Sequence, residues 1–455
     1  MKNRLRKLPL SALLFAAFWG LAQAAHAVLP IAHWQQASGA RVYLVETHNI
    51  PMVDVQIDLD AGSRRDPADK PGLASVAAGQ LASGIRAQSG GQGPYARALD
   101  ENQLGEAWAD LGAVFGASAS GDRLSFSLRS LSDADLLDKA AQLAARQMAH
   151  PAYPQAVWLR DRDKLAAALR ESLTRPATVT QNRFAEAVYG GHPYGWRSTP
   201  ETLQRMGVAD MQRWHAQALL PCRAVVSVVG DVTRAQADAL VTRLLALWPQ
   251  ASEGRCESLP AVQEVPELQA AQNLRVPFDS AQAHVLMGQP GYKRSDPDFF
   301  ALLLGNHILG GGGFTSRLTA QVREQRGLSY SVYSSFSPAL HAGAFVVGLQ
   351  TRPDQAAQAL DVARQVVQEF VAQGPTEAEL QAAKANLIGG FALRIDSNRK
   401  LLENVASIAW NQLPLDYLDR WGEHMARVGV EDVRRAFARV LQPERMVTLV
   451  VGGKP

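Results

Sequence analysis

Two stretches, RMGVADMQRWHAQALLPCRAVVSVVG (residues 205–230) and RVGVEDVRRAFARVLQPERMVTLVVG (residues 427–452), align without a gap and decide the architecture. Arg205 matches Arg427, Gly207 matches Gly429, Asp210 matches Asp432, Arg213 matches Arg435, Pro221 matches Pro443 and Gly230 matches Gly452. Each copy predicts a helix, a proline that stops it and a buried strand of β-branched residues. A phrase held in register at so long a period is a duplicated domain and not a solenoid repeat.

Working outward, WPQASEGRCESLPAVQEVPELQAAQ (248–272) has no helical or strand periodicity and reads as a linker between the copies. The halves are thus 28–247 and 273–455. In each, strand-like runs cluster near the start: ARVYLVET, MVDVQIDL and RLSFSLRS in the first, AHVLMGQ, LSYSVYSSF and AFVVGLQT in the second. Long alanine- and leucine-rich helices follow. This grouping predicts an α+β fold of two homologous half-domains, each a mainly antiparallel sheet with helices covering one face.

The 455 residues are 47% hydrophobic and 20% charged, the composition of an ordinary globular chain of two or more domains. Lys and Arg number 46 against 43 Asp and Glu, so no strong field points to nucleic acid or an anionic membrane. Residues 1–27 form an expected secretory signal peptide: a basic start, the apolar run LPLSALLFAAFWGLA and small residues ending at Ala24 or Ala27. That run is shorter than the roughly 20 residues a membrane span needs. The expectation is an exported, periplasmic protein. Its two cysteines, Cys222 and Cys256, are compatible with a disulfide or with two buried free thiols. There is no CxxC and no Cys/His cluster to hold zinc.

GGGGFTSRLTAQVREQRGLSY (310–330) carries the second half's chemistry. No GK[ST] follows the glycines Gly310, Gly311, Gly312 and Gly313, so a phosphate loop is disfavoured, and a flexible turn is the plain alternative. Thr315 or Ser316 as N-cap, Leu318 and Val322 on one face and Gly327 as stop predict a helix from about 315 to 326. The strand after it alternates, which places Leu328, Tyr330, Val332 and Phe336 on one side. Arg323 and Tyr330 can then converge on one ligand.

Together with HNIPMVDVQIDLDAGSR (48–64), HPYGW (192–196) and VVGDV (228–232), the glycine stretch resembles the pitrilysin (insulinase) family of zinc peptidases over nearly the whole chain after its leader. The resemblance implies a clam-shaped, pitrilysin-like duplication. It also implies that Arg323 and Tyr330 hold substrate and the developing oxyanion, with the Gly310–Gly313 loop beside the peptide.

The family's zinc motif is HxxEH, two histidine ligands and a water-activating glutamate on one helix, completed by a later glutamate. At that place the chain reads PGLASVAAGQLASG, which puts Ser75, Ala78 and Gly79 at the motif positions. The later glutamate falls at about Ala167 in KLAAALRESLTRP, with Glu171 one turn away. No histidine pair recurs elsewhere at HxxEH, HExxH or HxxxH spacing, and His192 resembles a structural turn. The resemblance therefore implies a chain without metal or cofactor of its own. It implies a heterodimer with an HxxEH-bearing subunit that supplies zinc, as in mitochondrial processing peptidase, acting on an extended peptide. The alternative is an inactive peptide-binding or scaffold protein.

Overall fold

The structure is a computed structural model that describes residues 30–88, 95–249 and 256–453; the expected signal peptide lies outside the described residues. The first half contributes β1 (Ala32–Gln35), β2 (Arg41–Glu46), β3 (Met52–Leu59), β4 (Gly84–Ile85), β5 (Leu99–Asp100), β6 (Val114–Ala119), β7 (Leu124–Leu131) and β8 (Val225–Gly230). The second contributes β9 (Gln272–Val276), β10 (Ala283–Pro290), β11 (Ser331–Phe336), β12 (Ala344–Thr351) and β13 (Val447–Val451).

The six-stranded first sheet has the order β1-β2-β8-β3-β7-β6, and the five-stranded second sheet the order β11-β12-β10-β13-β9. Strand pairing exposes the duplication. β2 with β8 and β9 with β13 are the parallel pairs, and every other pair in the two sheets is antiparallel. Strand for strand, β2, β8, β3, β7 and β6 therefore correspond to β9, β13, β10, β12 and β11. The edge strand β11, beside the Arg323 segment, is the counterpart of β6.

The repeated phrase folds the same way twice. Helix Val208–Ala218 starts where Asp210 accepts a hydrogen bond from the Gly207 N–H at 2.9 Å, and helix Val430–Val440 where Asp432 accepts from the Gly429 N–H at 2.8 Å. Each aspartate satisfies a backbone donor that a helix start leaves orphaned. Pro221 and Pro443 then open single 3₁₀ turns before β8 and β13.

The expectation of helices on one face needs a correction, because the second face of each sheet is covered by a helix lent from the other half. Helix Pro176–Tyr189 crosses to pack on β10 and β13, and helix Asn398–Trp410 packs on β8, β3 and β2. Phe184 and Val188 are buried against Leu286, Ala344, Val447, Leu449 and Val451. Leu401 and Val405 belong to a core that includes Tyr43, Val45, Val225 and Val229. Strands buried on both faces read as continuous apolar runs, as VVSVVG does.

Beyond Cys256 the expected linker is an extended strap fastened to both halves. Its Glu257 and Pro260 carbonyls accept from Arg223 and Arg65, and its Glu264 carboxylate pairs with Lys293 at 2.7 Å. Cys222, in the turn before β8 and not in the strand itself, is disulfide-bonded to Cys256 across a Cα–Cα distance of 5.9 Å. β9 begins at Gln272, the last residue of the expected linker.

Candidate functional site

The glycine run is packed, which corrects the flexible-turn alternative. A Cβ on Gly310 would stand 2.4 Å from the Ser334 nitrogen of β11, one on Gly311 2.8 Å from the Asn306 side chain, and one on Gly312 2.7 Å from the His307 carbonyl. Gly313 has a φ of +61°, the left-handed region. The loop is held from below by Asn306, which accepts from the Ser334 hydroxyl at 2.8 Å and donates to the Ser334 carbonyl at 3.3 Å. Residues His307–Gly311 widen into a π-helical turn, a geometry frequent at functional sites.

The following helix is shorter than expected. A 3₁₀ turn covers Gly313–Thr315, and Thr319–Glu324 is again π-helical. Ser316 is the cap: its hydroxyl accepts from the Thr319 N–H and donates to the Gly313 carbonyl at 2.7 Å. Leu318 and Val322 are fully buried, and Gly327 ends the segment at a φ of +60°. Arg317 anchors it from outside through a bidentate pair with Glu379, both contacts at 2.7 Å.

This scaffold brings Arg323 and Tyr330 together, with a third side chain that sequence reasoning missed. The Arg323 guanidinium lies 4.8 Å from the centre of the Phe314 ring and 5.0 Å from that of Tyr330. Among the described residues no carboxylate pairs with it, so its N–H donors stay available. Phe314 and Tyr330 are 68% and 81% exposed. Tyr330 departs from the expected alternation: β11 starts only at Ser331, Val332 points into the core, and Tyr330 stands out in solvent. An aromatic residue immediately after the glycines was the available signal for Phe314.

The first-half positions have a different character. Helix Leu73–Gly79 is anchored by Asp66, whose carboxylate accepts from the Gly72 and Ala74 N–H groups at 2.7 and 2.9 Å. Ser75 and Gly79, one turn apart, lie on its exposed face, and Ala78 is buried. A Cβ at Gly79 would meet nothing within 4 Å, so the space where a second histidine would stand is open. Helix Gln155–Ser172 runs nearby, with Asp161 accepting from Gln80 at 2.9 Å, and both Ala167 and Glu171 on it are exposed. One serine hydroxyl is the whole donor set of Ser75, Ala78, Gly79 and Ala167, which does not fit zinc. Among the described residues no group of three or more His, Cys, Asp or Glu side chains could hold a metal ion.

His192 acts structurally. Its Nε2 is 3.0 Å from the Gln263 carbonyl of the strap and its Nδ1 accepts from the Tyr194 N–H at 3.1 Å. Burial and the nearby His341 push its pKa down, so the ring is neutral at pH 7.

Residues 205–387 match the family model described as "Peptidase M16 inactive domain". A solved structure of a peptidase M16 inactive domain from Pseudomonas fluorescens agrees with this fold at a TM-score of 0.86 and 31% identity, covering 94% of this chain and 98% of that one. The chain belongs to the peptidase M16 family. The M16 chain is also 30% identical over 288 residues to an uncharacterized zinc protease of Mycobacterium leprae, a match spanning 61% of this chain and 62% of the relative, less than two thirds of its length. To the non-peptidase homolog YmxG of Helicobacter pylori it is 26% identical over 418 residues, 89% of either chain. The pitrilysin-like duplication is thus the M16 fold. No helix among its described residues is long and apolar enough to cross a membrane.

Proposed function

We propose that this M16 chain is the non-metal subunit of a periplasmic, two-chain zinc peptidase, contributing substrate and transition-state contacts to a partner's HxxEH site. The observation that carries this reading is the contrast between the halves. Ser75, Ala78 and Gly79 offer no metal site, whereas Arg323 is held between two exposed aromatic rings with its donors unspent.

An arginine in that state can donate a charge-assisted hydrogen bond to a peptide carbonyl, and the Tyr330 hydroxyl a second, both strengthening as negative charge develops on that oxygen. The edge strand β11 begins one residue after Tyr330, and its outward Ser334 backbone is engaged by Asn306 and the glycine loop. An extended peptide can bind by adding to an open sheet edge through main-chain hydrogen bonds, which favours length over sequence. Export rests on the leader-like first 27 residues.

The test is to isolate the chain under mild conditions from its native periplasm and identify what accompanies it in stoichiometric amount. A companion carrying HxxEH supports the two-chain peptidase. A chain recovered alone or as a homodimer replaces it with the second reading, an inactive peptide-binding or scaffold protein, which the resemblance to a non-peptidase homolog favours.

A further inference from the structure

A cavity of about 670 Å³ lies on the seam between the halves, away from the Arg323 cluster. Its walls come from the β6–β7 turn, the HPYGW segment, the β11–β12 turn and the end of helix Asn398–Trp410. Two arginines reach it, one from each half.

Arg294 is the less committed of the two. Its guanidinium lies 3.8 Å from the centre of the Phe299 ring, and Nη2 donates to the Tyr417 hydroxyl at 2.8 Å. Among the described residues it has no carboxylate partner, so most of its five donors are unspent. Arg123, from the first half, has one long contact of 3.3 Å to the buried Asp58 and faces the Trp410 ring at 5.4 Å. The one carboxylate in the lining, Asp122, is already saturated. It accepts from Arg64 Nε at 2.9 Å, the Tyr194 hydroxyl at 2.6 Å and the Leu340 N–H at 3.1 Å. Arg64 is itself buried, so it offsets the charge of Asp122 locally. The cavity is left with excess positive charge beside apolar walls of Phe299, Trp410 and Leu340, and with Ser120, Ser407 and Asn411 as further hydrogen-bonding groups.

We infer that this cavity binds a small carboxylate with an apolar body, the carboxylate on Arg294 and Arg123 and the body against Phe299 and Trp410. Flat guanidinium groups suit planar carboxylates, and the volume is that of a small-ligand site. A peptide C-terminus and a free organic acid share this chemistry. In either case the ligand touches both halves and binds without the partner subunit.

The test is calorimetric titration of the purified full chain with four probes. These are the N-acetylated tripeptide Ala-Ala-Phe as free acid, the same peptide as its C-terminal amide, phenylacetate, and inorganic phosphate. The free acid is expected to bind and the amide not to. Arg294→Gln should weaken binding about tenfold or more, the usual worth of a charge-assisted hydrogen bond. Ser407→Leu, which fills the cavity and leaves both arginines in place, should abolish it. Phenylacetate binding as tightly as the peptide acid also supports the site and identifies a free organic acid as its ligand. Equal binding of acid and amide, tighter binding of phosphate than of either carboxylate, no binding at millimolar concentration, or binding undiminished in both variants would overturn the inference.

Discussion

Arg323 stands 5.0 Å over the ring of Tyr330, and the ring that holds the cation in place is itself 81% exposed. Stacking at an exposed site contributes about 0.5–1 kcal/mol, so the pair is a surface arrangement with little role in folding. Tyr330→Phe keeps the stack and removes the hydroxyl, whereas Tyr330→Ala removes both. Denaturant midpoints of both variants should match the parent within about 0.5 kcal/mol. Extended peptides should bind more weakly to the alanine variant than to the phenylalanine one, as fluorescence titration would read.

The glycine loop makes the opposite prediction. Gly310→Ala forces a methyl group to within 2.4 Å of the Ser334 nitrogen and should destabilise the chain by about 1–3 kcal/mol, the usual cost of overpacking. Gly79→Ala, with open space around it at helical φ and ψ, is the matched control and should be neutral or stabilising by a few tenths to about 1 kcal/mol. Chemical denaturation of the two single variants decides the point; equal effects would mean that the loop is not packed as described.

Acid should loosen the Arg323 segment through Glu379. The hydrogen bond from Arg317, with further help from Thr376, holds the Glu379 pKa down at about 2 against an ordinary 4.5. A carboxylate whose folded pKa is depressed contributes stability that is complete above its unfolded pKa and is lost as pH falls towards the folded one. The window is therefore about pH 4.5 down to pH 2. Across it, denaturant midpoints of the parent should fall more steeply with acidification than those of Glu379→Gln. Parallel curves would show that the pair contributes no pH-dependent stability.

The lent helices should make the halves one cooperative unit. Phe184 belongs to the first half by sequence but is 4% exposed in a core made with β10, β12 and β13. Phe184→Ala should cost about 3–5 kcal/mol, the range for deleting a buried aromatic ring. If the seam is as described, unfolding stays a single transition at a lower midpoint. A second transition assignable to one half would contradict it.

The duplicated sheets were legible because VVSVVG and MVTLVV repeat a helix-proline-strand phrase, and local pattern determines local structure there. β1, β6 and β9 were not. AHWQ, VFGASA and QNLRV are short edge strands whose residues are half exposed, so burial leaves little periodicity to read. The swapped helices were invisible for a related reason: an apolar stripe such as that of Phe184 and Val188 announces burial but not which half supplies the partner. At the site, the nearness of Arg323 to Tyr330 was legible in the helix–strand junction of the 310–330 stretch. Phe314 and the Asn306–Ser334 support were not, since they depend on a 3₁₀ turn and on an adjoining π-helical turn that i, i+3, i+4 reasoning does not anticipate.

The most direct measurement combines the chain with the HxxEH-bearing companion proposed above, once co-purification has identified it, and assays peptide hydrolysis with Arg323→Ala and Tyr330→Phe. Loss of a hydrogen bond to the developing oxyanion typically lowers kcat by about 10²–10³-fold. The account predicts losses of this order for Arg323→Ala, smaller ones for Tyr330→Phe, and an intact complex in both. Full activity in both variants would contradict it and leave this chain a structural companion of the enzyme.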